Sequence, residues 1–359
     1  MVGIHDVAKA AGVSASTVSN VLNGRDHRMR AETKARVLEA IDLLRYTPNS
    51  VARQLKSGQN RTIGLIVPSV ANPFWGGVAH RVERAAINFG YKVLICNAER
   101  DPAAEARYAE MLLGSGVRGV ILSSSPISFD HLRALVERGL VVAAFDRRAQ
   151  GAESVVACSV SIDQEMGSRL AARHLIGLGH ERIGYISGPI RTSSRMGRLN
   201  GLKLAMASAG LELDPELVWS GGGIGGFGDT EGAELGRIGV RELLSRDDPP
   251  TAILAVNDMY AIGAYAGARD LGFRVPEDLS IVGFDDIVLA ELMQPALTTI
   301  RQPFPAMADA AVDALVHRLE GKELPPEKVH VNAVPELIVR ASTAAPRVKR
   351  RAVRRSGRR

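Results

Sequence analysis

At 359 residues the chain is too long for one typical domain, and its 46% apolar residues can bury substantial cores, which excludes wholesale disorder. Its two cysteines, Cys96 and Cys158, each sit in an apolar run without metal-like spacing, which excludes a disulfide scaffold and suits reduced, buried thiols. The net charge of +6 is uneven: residues 1–60 carry nine Lys/Arg against five Asp/Glu, residues 344–359 carry eight Arg/Lys and no acid, and the body between is acidic. Two basic ends fit a polyanion partner, or else a solvated surface with a solubilising tail.

The first element is a short helix with Ile4, Val7, Ala8 and Ala11 on one face, stopped by Gly12. Ser14 is placed to cap a second helix whose inner face is Val18, Val21 and Leu22. A third helix at about 31–44 carries Val37, Ile41 and Leu44 at helical spacing. Helix, tight turn and helix is the helix-turn-helix pattern, although the pattern alone also fits any small helical bundle. The outer face of the second helix offers Ala15, Ser16, Ser19, Asn20 and Asn23, short side chains suited to base edges or phosphates, with Ala15 suited to a thymine methyl.

The run Asp6-Val7-Ala8-Lys9-Ala10-Ala11-Gly12-Val13-Ser14-Ala15-Ser16-Thr17-Val18-Ser19-Asn20-Val21-Leu22-Asn23 resembles the signature of the LacI/GalR (lactose and galactose repressor) family of transcriptional regulators. The match continues through Thr33, Val37, Ala40, Leu44, Tyr46-Thr47-Pro48-Asn49, Ala52 and Leu55. The resemblance implies that Ala15, Ser16 and Asn20 lie in the major groove, and that Ser14, Thr17, Ser19, Asn23, Tyr46 and Asn49 contact or position phosphates. Two positions depart from the pattern: Gly3 stands where a Thr commonly caps the first helix, and Arg30 where a Ser or similar residue begins the third.

Pro48 pre-sets a helix start, and residues 49–56 could form two turns ended by Ser57-Gly58. So short a helix needs a partner. In the family that this segment resembles, two such hinge helices pair across a dimer on the DNA. Leu55 alone reads as an ordinary helix-face leucine; within the motif it resembles the apolar wedge that unstacks a minor-groove step. Ala52 belongs to the same motif, and Arg53 and Lys56 add phosphate-seeking charge.

From Thr62 the chain alternates apolar strands (63–67, 92–96, 119–122, 141–145, 183–186, 252–256 and 281–284) with helical stretches near 76–89, 104–114, 130–137, 165–177, 198–209, 230–244 and 259–271. Continuous apolar strands between helices predict parallel sheets covered on both faces, and about 280 residues suit two sheets better than one. The resemblance agrees: the fold class expected is an all-α helix-turn-helix DNA-binding domain plus an α/β two-lobed, periplasmic-binding-protein-like (type I) sensor domain. The expected domains are 1–47 for the DNA reader, 48–60 for the hinge and 61–343 for the sensor. Its first lobe spans about 61–161 and 296–322 and its second about 162–291 and 327–343, with crossovers near 161–163, 290–299 and 321–328. Residues 344–359 are expected to be a basic disordered tail, because dense like charge cannot pack.

Ligands in such folds sit at the carboxyl ends of the strands, between the lobes. By the family's pattern Arg198, Asn257 and Asp285 hydrogen-bond a ligand, Phe227 stacks on its ring, and Phe74, Trp75, Asp101 (or Arg100) and Asp146 come from the first lobe. Ser194 follows a strand of the second. Carboxylates, amides, an arginine and aromatics together suit a polyhydroxylated ligand, a sugar or sugar derivative. Trp75 is equally readable as core, and Asp258 and Asp286 read better as helix caps.

The run Gly221-Gly222-Gly223-Ile224-Gly225-Gly226 satisfies a dinucleotide-type glycine pattern, but it stands in mid-sensor without an opening βαβ unit and reads as a loop. No nucleophile elbow, metal-ligand spacing or activated cysteine is present, so no enzyme activity, cofactor or metal is expected. No charged-then-apolar leader and no 18-residue apolar run appears, which predicts a cytoplasmic protein. The reading is a homodimeric repressor of a pseudo-palindromic double-stranded operator, released by a small-molecule effector. A global regulator controlled by a partner protein and a solute receptor that does not bind DNA are the alternatives.

Overall fold

The computed structural model describes residues 2–22, 24, 29–46, 60–147, 155–221, 228 and 230–347. The chain divides into two compact units, Met1–Asn60 and Arg61–Arg359. The expected hinge helix, the glycine run from 222 and the tail from 348 lie outside the described residues.

In the first unit, helix α1 (Ile4–Ala11) begins at Gly3, whose N–H donates to Asp6 Oδ2 (2.8 Å). Gly12 ends it at φ 64°, the left-handed conformation that closes a helix without a Cβ penalty. Ser14 Oγ accepts from the Thr17 N–H (3.2 Å) and so opens α2 (Ala15–Leu22). Helix α3 (Ala31–Leu43) closes the unit over Val7, Ala8, Ala11, Val18, Val21, Val37 and Ala40, all buried.

The second unit holds two parallel sheets. Strands β1 (Thr62–Val67), β2 (Lys92–Asn97), β3 (Gly119–Leu122), β4 (Val141–Phe145) and β5 (Cys158–Ile162) build the first, with β2 at one edge. Its connecting helices are α4 (Pro73–Asn88), α5 (Pro102–Gly114) and the short α6 (Arg133–Glu137), which is preceded by a 3-10 turn over Asp130–Leu132. Strands β3 and β4 are buried almost throughout, as expected for a sheet covered on both faces.

The chain then enters the second lobe through α7 (Gln164–Gly177), β6 (Ile183–Ile186), α8 (Ser193–Ser208), β7 (Val218–Trp219), α9 (Gly232–Leu244), β8 (Ala252–Ala255), α10 (Asp258–Asp270) and β9 (Ser280–Val282). The sheet order here is β7-β6-β8-β9. Helices α9 and α10 approach closely at two glycines. A Cβ on Gly263 would collide with the Ala233 carbonyl oxygen, and one on Gly236 with that of Tyr260.

Helix α11 (Val288–Leu292) leads to β10 (Thr299–Arg301), α12 (Phe304–Leu319) then returns to the first lobe, and α13 (Pro326–Val329) follows. Strand β11 (His330–Ala333) pairs in parallel with β5, and β12 (Glu336–Ile338) pairs antiparallel with β10. This corrects the expected lobe boundary: the segment 327–343 is expected wholly in the second lobe, yet its first strand completes the first sheet. The last crossover therefore runs through 334–335, beyond the expected 321–328, and the middle one through 302–303, beyond the expected 290–299, because β10 is bound to the second lobe by Asp258 and β12. An unremarkable four-residue strand takes its place from the free edge of β5, not from its own periodicity.

The fully buried Asp258 ties the second lobe to β10. It accepts from Thr299 Oγ1 (2.6 Å) and from the Ile287 N–H (2.9 Å). Among the described residues no helix is long and apolar enough to cross a membrane.

Candidate effector cleft and DNA-reading surface

Seven described residues other than glycine have positive φ, and six of them, Glu99, Arg100, Ser125, Asp146, Asp285 and Asp286, follow the carboxyl ends of strands. Each such conformation costs about 1–3 kcal/mol, and this clustering is the signature of a site held in shape by its surroundings. From the first lobe Asn72, Phe74, Trp75, Arg100 and Asp146 line the cleft; from the second come Ser194, Arg195, Arg198, Val256, Asn257 and Asp285, with Gln302 from the crossover. The space left among them is about 20 Å³. Ligand pockets are typically several hundred Å³, so a sugar-sized ligand enters only with the lobes further apart.

Arg198 organises the floor. Its guanidinium lies 3.6 Å from the centroid of the Phe284 ring, donates to Val256 O (2.6 Å) and, through Nε, to Gln164 Oε1 (2.8 Å). Its Nη2 stands 3.7 Å from Asp285 Oδ1. The Gln164 amide passes the link across the cleft by donating to Asp146 Oδ1 (2.5 Å), while Ser125 Oγ donates to Asp146 Oδ2 (2.7 Å). Asp285 also accepts from Gln302 Nε2 (2.7 Å).

Burial pushes the Asp285 acid up to about 7 against the opposing pull of Arg198, and it raises Asp146 in the same way. Folded Asp285 thus keeps its proton to about pH 7, whereas the unfolded chain releases it near pH ~4. The stabilising protonated form is fully present below that lower value and is lost as pH rises through about 7. Wild-type stability should therefore fall by about 1 kcal/mol from this group between pH 6 and 8, and Asp285→Asn should flatten the slope. Urea unfolding at the two pH values measures this; equal slopes in both proteins would refute it.

Of the expected effector residues, Phe74, Trp75, Asp146, Ser194, Arg198, Asn257 and Asp285 converge here. Asp101 does not. Its carboxylate caps α5 by accepting from the Ala103 (3.0 Å) and Ala104 (3.2 Å) N–H groups, and its neighbour Arg100 lines the cleft instead. Phe227 lies outside the described residues. Trp75 and Phe74 are both cleft wall and core, stacked edge-on at 5.0 Å. Asn257 caps α10 through the Tyr260 N–H (3.1 Å), a role expected of Asp258. Asp286, likewise expected as a cap, pairs with Arg301 (2.7 Å) and Arg340 (2.7 Å). Asn72 and Arg195 are polar residues just after strands and line the cleft as that position suggests, whereas Val256, Gln302 and the bridging Gln164 were not anticipated. Only position at a strand end or crossover marked them.

On the helix-turn-helix unit Ser14, Ser16 and Asn20 are exposed, and Ala15, Thr17 and Ser19 are half-buried. Tyr46 is half-buried and packs against the unit's small core. Asn23, Asn49, Ala52, Arg53 and Leu55 lie outside the described residues.

A three-helix DNA-reading unit and a two-lobed body with a polar inter-lobe cleft define a ligand-responsive transcriptional regulator. Residues 3–49 match the model of bacterial regulatory proteins of the lacI family, and residues 172–343 that of a periplasmic binding protein-like domain. The chain is 36% identical over 341 residues to the HTH-type transcriptional regulator DegA of Bacillus subtilis, covering 95% of this chain and 98% of that protein. It is 35% identical over 343 residues to the HTH-type transcriptional repressor PurR of Photobacterium profundum, with the same coverage of 95% and 98%. The protein belongs to the lacI family. Among solved structures, the lac repressor dimer bound to operator and the anti-inducer ONPF is similar at TM-score 0.81 and 29% identity, over 96% of this chain and 99% of that one. The transcriptional regulator CelR–cellobiose complex is similar at TM-score 0.69 and 31% identity, over 95% and 100%.

Proposed function

We propose that the protein is a homodimeric repressor of a pseudo-palindromic operator, whose DNA affinity is set by a sugar or sugar derivative bound between the lobes. The observation that carries this reading is the Asp146–Gln164–Arg198–Asp285 chain, which places acceptors and donors from both lobes around one small space. Hydroxyl groups both donate and accept, so a polyol can replace each of these bonds as it enters. Support comes also from CelR, solved with cellobiose, and from the lac repressor, solved as an operator-bound dimer.

Effector binding changes lobe closure and with it the spacing of the two hinge segments, which shifts operator affinity by a coupling free energy. The expected sign is release of DNA. Genome-wide footprinting would locate the operator, and fluorescence anisotropy on that sequence would measure affinity with and without each sugar of a panel. If no sugar moves operator affinity, the reading fails. Ser16 and Asn20 would read base edges, and Leu55 would act as the minor-groove wedge. Leu55→Ala should weaken operator binding at least ~10-fold while nonspecific DNA binding changes much less. Equal loss on both DNAs would count against the wedge.

A further inference from the structure

We infer that Ser125 and Ser193 form a latch between the lobes, which the effector must part to be held and which sets the sensitivity of the regulator. This rests on the reading above that a sugar binds between the lobes and controls DNA affinity. Among the described residues, direct contacts pass from lobe to lobe at two places. The Ser125 carbonyl accepts from the Ser193 N–H (3.1 Å) and from Ser193 Oγ (3.2 Å). Ser69 Oγ stands 3.3 Å from Thr230 Oγ1.

The first N–H groups of a helix have no partner within it. On α8 the Thr192 hydroxyl caps one of them by accepting from the Arg195 N–H (3.3 Å), and the Ser193 N–H finds its acceptor on the other lobe. That acceptor is held in place. Ser125 takes a left-handed conformation (φ 53°), which a serine keeps only where its surroundings enforce it. Its hydroxyl lies 2.9 Å from Asp146 O and 2.7 Å from Asp146 Oδ2. Asp146 lines the cleft, so a ligand hydroxyl that competes for its carboxylate also loosens the turn whose carbonyl holds α8.

Strand order gives these contacts their leverage. The crossovers leave the first lobe from β5 and β11 at one side of its sheet, and β10 stands beside β9 in the second. Ser125 follows β3, two strands from β5, and Ser193 follows β6, two strands from β9. Ser69 and Thr230 follow β1 and β7, three strands out on each side. At ~4.8 Å per strand the two contacts lie about 10 and 14 Å from the crossovers. A small rotation of the lobes therefore carries both beyond hydrogen-bonding range, whereas Asp146–Gln164, beside the crossover at 163, changes least. With both contacts made, the cleft holds about 20 Å³, so a sugar is held only with them parted. Its apparent affinity is then reduced by the fraction of molecules that are open.

The test uses the full chain. Ser193→Pro removes both donors and suits the helix: proline favours the first helical position, and Thr192 is already extended (φ -125°, ψ 172 being that of Gly3 at α1 and 154° that of Thr192), as a residue before proline must be. Opening is read by the rate at which iodoacetamide modifies Val256→Cys, a cleft position only 2% exposed. Ser193→Pro should raise that rate ~10-fold, the weight of two hydrogen bonds, while the buried Cys158 of β5 stays as slow as before. An unchanged rate at 256 would overturn the latch, and an equal rise at Cys158 would make Ser193 merely structural and overturn it too. If the proline variant fails to fold, Ser193→Ala, which keeps the N–H and loses the hydroxyl, should raise the rate ~3-fold, and no rise would again overturn the latch.

Operator release by a panel of free hexoses, pentoses and disaccharides separates the latch from the sugar reading. The sugar concentration for half-release should fall ~10-fold in Ser193→Pro. Faster modification at 256 with an unchanged half-release concentration would overturn the claim that the effector parts the latch. If no sugar acts on either protein, the sugar reading falls, and the modification rates alone decide the latch.

Discussion

Arg198→Ala is expected to destabilise the sensor body by ~3–5 kcal/mol and to abolish the response of operator affinity to the effector. The guanidinium fills four functions at once: it covers the Phe284 ring, satisfies the buried Val256 carbonyl, holds the Gln164 amide and faces Asp285. Alanine leaves a buried carbonyl and two buried carboxylates without that cation, the costly way to break an ion pair. Arg198→Lys keeps the charge but loses the fork that reaches Val256 and Gln164 together, so it should recover only part of the stability. Without Arg198 the Asp285 acid rises further, and the fall in stability with pH moves to higher pH. Urea unfolding and effector-dependent anisotropy measure the two effects. A variant of wild-type stability that still responds to effector would refute the role assigned to this arginine.

Gly263→Ala should be nearly as damaging, at ~3 kcal/mol or more, although it adds a single methyl at a residue that does not line the cleft. The new Cβ meets the Ala233 carbonyl carbon at 2.7 Å and Arg237 N at 2.8 Å, and both belong to the backbone of α9. Rigid backbone cannot turn aside as a side chain can, so the two helices must separate. Gly236 packs on the backbone of α10 in the same way, and separation there would also uncover the buried Tyr260. Thermal unfolding measures the cost. Gly76→Ala on α4, with no atom near its added Cβ, is the control expected to change little. Equal effects of the two substitutions would show that close approach is not the cause.

The alternation of apolar strands with helices was legible in the sequence because both faces of these sheets are covered. Strands such as Val141–Phe145 then contain almost nothing but apolar residues. Strand β11 was not legible: His330-Val331-Asn332-Ala333 has no apolar run, and its place is set by a partner strand about 170 residues earlier. The helix expected over 130–137 is a 3-10 turn followed by five residues of α-helix, a local tightening that apolar spacing does not encode. In the cleft, Arg198 and Asp285 were marked by a shared pattern. Arg100 against Asp101 was undecided, because a left-handed turn determines which neighbour faces inward and which caps the next helix. The links made by Gln164 and Gln302 depend on elements meeting at the crossovers, which spacing along the chain does not record.

The crossovers have a mechanical consequence. Strand β10 is fastened to the second lobe through Asp258–Thr299, the bridge of Val282 to Thr298 and the pairing of Asp286 with Arg301 and Arg340. Its partner β12 therefore travels with that lobe, while Phe304, in edge-on contact with Phe74, and β11 travel with the other. The pivots are then confined to three short stretches, near Asp163, at Gln302-Pro303 and at Val334-Pro335. Two of the three hold a proline, whose ring fixes φ. With so few torsions free, the lobes can trace little more than one arc, and a ligand that differs in shape selects a point along that arc rather than a new direction.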